Sequence, residues 1–549
     1  MADALRYWHT IRHLKPIQVY GRVWFRLSRP RVDPRPAPPI RPVSGTWVQS
    51  AERVASLLGP DRFRFLSDTR DLGAHGWDDP GLDMLWRYNL HYFDDLNAGD
   101  AAQRVDWHRP LLERWVRENR PGVGTGWDPY PTSLRVVNWL KWALRGNRLP
   151  SVCVDSLALQ VRWLSRRLEA HLLGNHLFAN AKALVFGGLY FDGPAAEDWL
   201  ERGLRILAAQ VPEQILPDGG QFERSTMYHA IALEDMLDLY NAARTYSDAI
   251  APRWQPRIAT WRAIIGRMRS WLAAMCHPDG EISLFNDAAM KIAPFPAELE
   301  RYARRLGFTD QGNTAEPVRR LSATGYIRVE RGPAVAILDV GEVGPDHLPA
   351  HAHADTLSFE LSVFGQRVLV NSGTSRYGDD SERLRQRSTA AHNTVVIDDQ
   401  NSSEVWSDFR VARRARPLAL EVIQNGEVIV RCAHDGYRWL PGKPRHARQW
   451  SLDSGALVVR DSLFGRFRRA QARFHLHPAI AVDEAGRDGA LRLLLPGGRS
   501  IHVTVDGGRF HQHRTTWHPE FGVAEQNVCL AADITGSTLR TEFRWDASR

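Results

Sequence analysis

Two histidines one residue apart, His351 and His353, precede Asp355 by the same step in PAHAHADTLSFEL, and a third, His392, opens the apolar run HNTVVID. Residues two apart in an extended chain point to the same side, so His351, His353 and Asp355 are expected to share a face. Such imidazoles either hold a divalent metal, zinc above all, or form a hydrogen-bonded strand pair; the spacing leaves both open. In DGGQFERSTMYHAIALED, Gln221, Glu223, Arg224, Tyr228 and His229 follow a Gly-Gly turn and enter a helix. A tyrosine there can exchange a proton with a reacting oxygen, or it is a half-buried aromatic behind a Ser225 or Thr226 cap. In LLGNHLFANAKAL, Asn175 and His176 follow Gly174 and stand close to Asn180. The glycine is expected to end a helix, which makes Asn175 either a cap or a polar group offered to a ligand.

Two kinds of element must position these groups. Residues 1–28 read as an amphipathic helical arm with basic and aromatic residues interleaved, and the Pro-rich stretch 29–42 as an extended strap. From Leu85 to Leu306, segments such as SLRVVNWLKWALRG and VDSLALQVRWLSRRLEAHLLG carry apolar residues at helical spacing, broken by turns such as LPDGG and HPDG. Helices joined by short turns make antiparallel hairpins, and many in series give a solenoid or a closed toroid. After Pro317 the pattern becomes short, β-branched and alternating, which predicts an antiparallel sandwich. The expected organisation is an arm and linker over 1–59, an (α/α) toroid of helical hairpins over 60–315 and a β-sandwich over 316–549.

Bulk composition narrows the class of function. A chain of 549 residues, 43% hydrophobic and 24% charged, suits two or more globular domains. Its formal charge of +8 attracts polyanions in general, but no basic tail or compact nucleic-acid motif is present, so nucleic acid is not expected as a partner. Most of the 20 tryptophans are expected in cores, with some lining a cleft where flat rings meet sugar faces. Cys153, Cys276, Cys432 and Cys529 are far apart and read as isolated, mostly buried thiols. No run of about 18 apolar residues predicts a membrane span. The N-terminus lacks a secretory signal, which predicts a cytoplasmic location as written and a periplasmic one if the start is incomplete.

Taken together, HAHADTLSFEL, VLVNSGTSRY and RSTAAHNTVVIDDQNSSEVW closely resemble the core motif of the heparinase II/III-like family of polysaccharide lyases. GNHLFANAKAL resembles that family's Asn-His segment, and DGGQFERSTMYHAIALED its catalytic-tyrosine helix. Upstream, LWRYNLHYFDDLN and GWDPYPTSLRVVNWLKW are similar to its toroid, so the resemblance runs from about residue 60 past residue 450. It implies β-elimination on a uronic-acid-containing acidic polysaccharide such as heparin or heparan sulfate, alginate or a bacterial exopolysaccharide. Asn175, with His176 or Arg135, would stabilise the substrate carboxylate; Tyr228 and either His176 or His351 would act as acid and base. In some members a structural zinc ion is held at positions equivalent to His353, Asn371 and His392. The family's aspartate is replaced here by Asn371, a poorer zinc ligand, for which Asp355 could substitute.

The expected cleft lies between the domains, with Asn175, His176 and Tyr228 facing His351, and with Arg135, Arg224 and Arg387 available to bind carboxylate or sulfate groups. The rival enzyme reading is a glycoside hydrolase using two of Glu223, Asp218 and Asp287. The non-enzymatic rival is an inactive glycan-binding protein of exopolysaccharide biosynthesis.

Overall fold

The computed structural model describes residues 2–309, 316–484 and 490–546. The expected domain boundary at residue 315 lies outside the described residues. Helices α1 (Ala2–Ile11) and α2 (Pro16–Leu27) form the N-terminal arm, followed by an extended strap. A small three-stranded antiparallel sheet lies within residues 57–71. The helical region then runs through α3 (Met84–Tyr92), α4 (Val105–Glu118), α5 (Pro129–Leu144), α6 (Ser151–Ser165), α7 (Gly174–Tyr190), α8 (Pro194–Gln214), α9 (Thr226–Thr245), α10 (Gln255–Met275) and α11 (Pro296–Arg305). No described helix is long and apolar enough to cross a membrane.

Small residues set the closest helix contact. A Cβ at Gly188 in α7 would stand 2.5 Å from the Leu200 backbone nitrogen of α8, and one at Gly203 would stand 2.8 Å from the Ala181 carbonyl oxygen. The two helices therefore meet backbone to backbone, which only glycine permits. One apolar core then runs through the whole helical region, with Trp115, Trp139, Trp142 and Leu184 among its buried members. Two lysines inside it are paired with acids: Lys182 meets Asp235 and Asp238, and Lys141 meets Asp238 and Glu234. Such pairing offsets much of the cost of burying an ion.

The C-terminal half is antiparallel β-structure. A five-stranded meander runs from Val318–Leu321 to Gln366–Leu369. A four-stranded sheet, an eight-stranded sheet and a two-stranded ribbon at Val405–Trp406 and Arg410–Val411 follow, and the three larger sheets bury side chains in one core, including Phe359, Ile397, Val459 and Phe474. Between the third and fourth strands of the meander, residues 340–358 form a loop that carries His351, His353 and Asp355. The expected strand geometry there is thus replaced by a loop. The cysteines form no disulfide, and Cys153, Cys432 and Cys529 are buried.

Candidate active site

Asp287 is the centre of the site. It lies in the segment between α10 and α11, where its own carbonyl accepts from Ser225 Oγ at 2.6 Å and its amide donates to the His351 carbonyl at 2.9 Å. Each carboxylate oxygen meets one of the paired histidines: His351 Nδ1 donates to Oδ2 and His353 Nε2 to Oδ1, both at 2.8 Å. Arg383, from α12 (Ser381–Arg387), adds a two-pronged guanidinium contact to both oxygens. Burial alone would raise this carboxyl, but Arg383 and the two imidazoles hold it far below the usual range. Asp287 is therefore a fixed anion that accepts from His351 Nδ1 and leaves Nε2 turned toward Glu223.

Around that imidazole stand a phenol pair and a buried acid. Tyr228, two residues into α9 beyond Thr226 and capped by Ser225, lies ring against ring on His351. Its hydroxyl is 3.0 Å from that of Tyr377, whose ring packs edge-on against Phe409 and Phe521. Burial, then the neighbouring Tyr377, push the Tyr228 phenol well above its ordinary value, so it is a protonated donor at neutral pH. On the other side of the imidazole, Glu223 Oε2 is 3.6 Å from His351 Nε2 and has no hydrogen-bond partner, while Oε1 accepts from Gln221 at 3.0 Å. Burial raises the Glu223 carboxyl, a shift only partly offset by His351, Gln221 and His176.

Asn175 and His176 occupy the first turn of α7. Gly174 starts this helix rather than ending the previous one, which stops at Ser165. Gly174 has φ +52° and follows Leu173 at φ +62°, a pair of left-handed residues that swings the chain into the new axis. Both polar side chains thus sit at the positive end of a helix dipole, where an anion is favoured. They are half-buried. His176 Nδ1 donates to Glu169 at 3.1 Å and its ring stacks on Tyr130. Burial alone would lower this imidazole, yet Glu169 carries it above its ordinary value. Asn180 holds Glu169 in place through two hydrogen bonds, at 2.8 and 3.0 Å.

The arginines expected at substrate are engaged elsewhere. Arg135 is fully buried in the helical core, bonded to Gln160 and the His91 carbonyl beneath the Trp115 ring. Arg387 is equally buried and donates to the carbonyls of Ala352, Ser407 and Asp408. Arg224 reaches the Glu342 carbonyl and so clips α9 to the β-domain. Each serves carbonyl groups or packing that a sequence does not display. Arg383 and Tyr377, which sequence reasoning did not single out, take part in the site instead.

His353 and His392 do come together, with ring centroids 5.2 Å apart. His353 Nδ1 and His392 Nε2 have no protein partner, whereas His392 Nδ1 donates to Asn371 Oδ1 at 3.2 Å. Asp355 does not join them through either oxygen; burial pushes its carboxyl up to about 6, and Oδ2 is unpartnered. Among the described residues no group of three His, Cys, Asp or Glu side chains is placed to hold a metal. Two neutral imidazoles and an amide already engaged by one of them are a poor zinc set, so no chemical step is routed through a metal.

The carboxylates of the rival hydrolase reading are not paired across a cleft. Asp218 accepts from the backbone amides of Ala323 and Thr324, and Asp287 is held as an ion by Arg383 and two imidazoles.

Comparison with known proteins matches this architecture. Residues 152–306 match the family described as Heparinase II/III N-terminus and residues 313–546 the family described as Heparinase II/III-like, C-terminal. A crystal structure of heparinase III superposes with a TM-score of 0.67 at 18% identity, covering 85% of this chain and 77% of that one. A mutant of the heparan sulfate lyase HepC from Pedobacter heparinus gives 0.60 at 17%, covering 96% and 88%. In sequence, the chain is 26% identical to FtsZ-localized protein C of Caulobacter vibrioides over 84% of this chain and 79% of that protein. It is 25% identical to the heparin-sulfate lyase of Pedobacter heparinus over 60% of this chain and 56% of the lyase. Helical region, β-domain and their order all agree, and the chain belongs to the heparinase II/III-like family.

Proposed function

We propose that the protein is a polysaccharide lyase that cleaves a uronic-acid-containing acidic glycan by β-elimination. The observation that carries this reading is the Asp287–His351 hydrogen bond, which engages Nδ1 and leaves Nε2 available to a ligand while the Tyr228 ring stacks on the imidazole. His351 Nε2 takes the proton from C5 of the uronate. The electron pair left on C5 spreads into the carboxylate, where the Asn175 amide, the start of α7 and the raised His176 imidazole stabilise the growing charge. That pair then forms the C4–C5 double bond as the C4–O bond breaks, and Tyr228 gives its proton to the departing oxygen. Hydrolysis would instead require two free carboxyl groups across the bond, and Asp287 is tied up by Arg383. Incubating the protein with heparan sulfate, alginate and bacterial uronate exopolysaccharides tests the reading. An unsaturated product absorbing in the near ultraviolet supports it; saturated reducing ends alone would establish a hydrolase.

A second reading rests on the similarity to FtsZ-localized protein C, whose name describes a location and no reaction. On that reading the cleft binds a glycan without turning it over, and the same incubation would give binding with no product.

A further inference from the structure

Helices α1 and α2 carry their apolar residues on the outside. The inward side of α2 is held by Gln18, which donates to the His347 carbonyl at 3.0 Å, and by Phe25, whose ring lies 4.4 Å from that of His171. Gly21 faces His171 so closely that a Cβ would come within 3.1 Å of it. The inward side of α1 is polar: Arg6 meets Glu404, and Thr10 Oγ1 accepts from Trp406 Nε1 at 3.1 Å. With those sides fixed, the 100° step of a helix turns Trp8 and Ile11 of α1 outward, and Tyr20, Val23, Trp24 and Leu27 of α2. All six are at least half exposed, Trp24 by 70% and Leu27 by 75%. Scattered apolar side chains on a surface are ordinary, but a stripe along a helix is not.

Charge tells what covers the stripe. Residues 1–31 contain seven Arg or Lys and one carboxylate, Asp3. On α2, Arg22 and Arg26 are exposed and one turn apart, and the helical step places them along one edge of the Val19–Val23–Leu27 row. A second copy of the chain would bring the same arginine edge against the stripe's surroundings, with no acidic complement in the arm. An anionic lipid surface satisfies both features at once. Its acyl region accepts Trp, Leu and Val, while its headgroups accept arginine, whose long stem lets the charge reach outward.

We propose that the N-terminal arm is an interfacial membrane anchor, with the exposed stripe of α2 set into an anionic bilayer and Arg22 and Arg26 at the level of its headgroups. Because α2 is fastened to His171 in the helical region and to the His347 carbonyl in the β-domain, the body would be held against the lipid as one unit.

Full-length protein sedimented with vesicles tests this. Vesicles of phosphatidylcholine containing phosphatidylglycerol are expected to carry the protein down at low salt, and pure phosphatidylcholine vesicles much less. Trp24→Ser with Leu27→Ser is expected to weaken anionic-vesicle binding at least ~10-fold, with an unchanged melting temperature and unchanged turnover of any glycan substrate. Arg22→Glu with Arg26→Glu is expected to weaken it by ~10-fold or more and to abolish its salt dependence. Failure to sediment with either vesicle overturns the proposal, as does equal binding to neutral and anionic lipid. A dimer in vesicle-free sedimentation equilibrium that Trp24→Ser dissolves would assign the stripe to a second copy and also overturn it.

Discussion

The Tyr228 ring lies 4.0 Å from the His351 imidazole with the planes inclined by 32°, so the two groups meet face to face and their proton-handling atoms point to different places. The phenol oxygen lies beside Tyr377, and the imidazole Nε2 lies beside Glu223. On the proposed mechanism, one group would work at C5 of a uronate and the other at the departing oxygen, without passing a proton between them.

That division predicts how Tyr228→Phe fails. Turnover on a natural glycan should fall by about two orders of magnitude or more, the usual scale for a lost general acid. A uronide with fluoride at C4, which leaves without needing a proton, should be eliminated by the variant at close to the wild-type rate. Equal losses on both substrates would make Tyr228 the base.

Asn175→Ala addresses the carboxylate. An amide that gains strength only as charge develops affects turnover, whereas uniform binding affects the Michaelis constant. Turnover should drop about 100-fold, the typical cost of a preorganised donor, with little change in KM. A rise in KM alone would reduce Asn175 to a binding residue.

Glu223 supplies a pH signature. Its carboxyl is raised on folding, so the neutral form is the one that suits the fold. Its contribution is fully present below the ordinary glutamate value and is lost as pH rises through the raised one. Glu223→Gln should match the wild type in melting temperature near pH 4 and exceed it increasingly toward neutral pH. Parallel melting curves across that range would show that folding does not raise the Glu223 carboxyl.

Arg383→Met leaves Asp287 with two imidazoles and no guanidinium. Removing one partner of a buried pair costs about 3–5 kcal/mol, which denaturant unfolding will detect. Loss of less than about 1 kcal/mol would mean that the two imidazoles alone hold the carboxylate.

Asn371→Asp tests the histidine pair. The wild-type protein should bind zinc weakly and keep its melting temperature in chelator, since an engaged amide replaces the carboxylate. The aspartate variant should bind close to one zinc per chain and melt lower when the metal is removed. Tight stoichiometric zinc in the wild type would refute the argument from Asn371.

Periodicity revealed the helical region and the β-domain, because apolar spacing reports directly which face of an element is buried. The grouping of His351 with His353 was also legible, although the two share an aspartate rather than a strand. Asp287 was not: it belongs to a loop 64 residues before His351, and only folding pairs them. Arginine presents the same difficulty in another form. Arg383 and Arg387 are one turn apart on α12 and chemically identical, yet one meets a carboxylate and the other a ring of carbonyls. Gly174 opens a helix where a helix end is expected, because glycine with positive φ suits either terminus and sequence does not tell which.

The aspartate that orients both sandwich histidines is supplied by the helical half of the molecule. Neither half holds the cluster of Asp287, His351 and His353 by itself. A chimera that joins this β-domain to a relative's helical region is expected to be inert unless the loop from Ser283 to Ala289 travels with it. The proposed chemistry thus crosses the boundary in both directions: the histidines of the β-domain depend on a seven-residue loop of the helical half, and Tyr228 of the helical half is stacked on one of them.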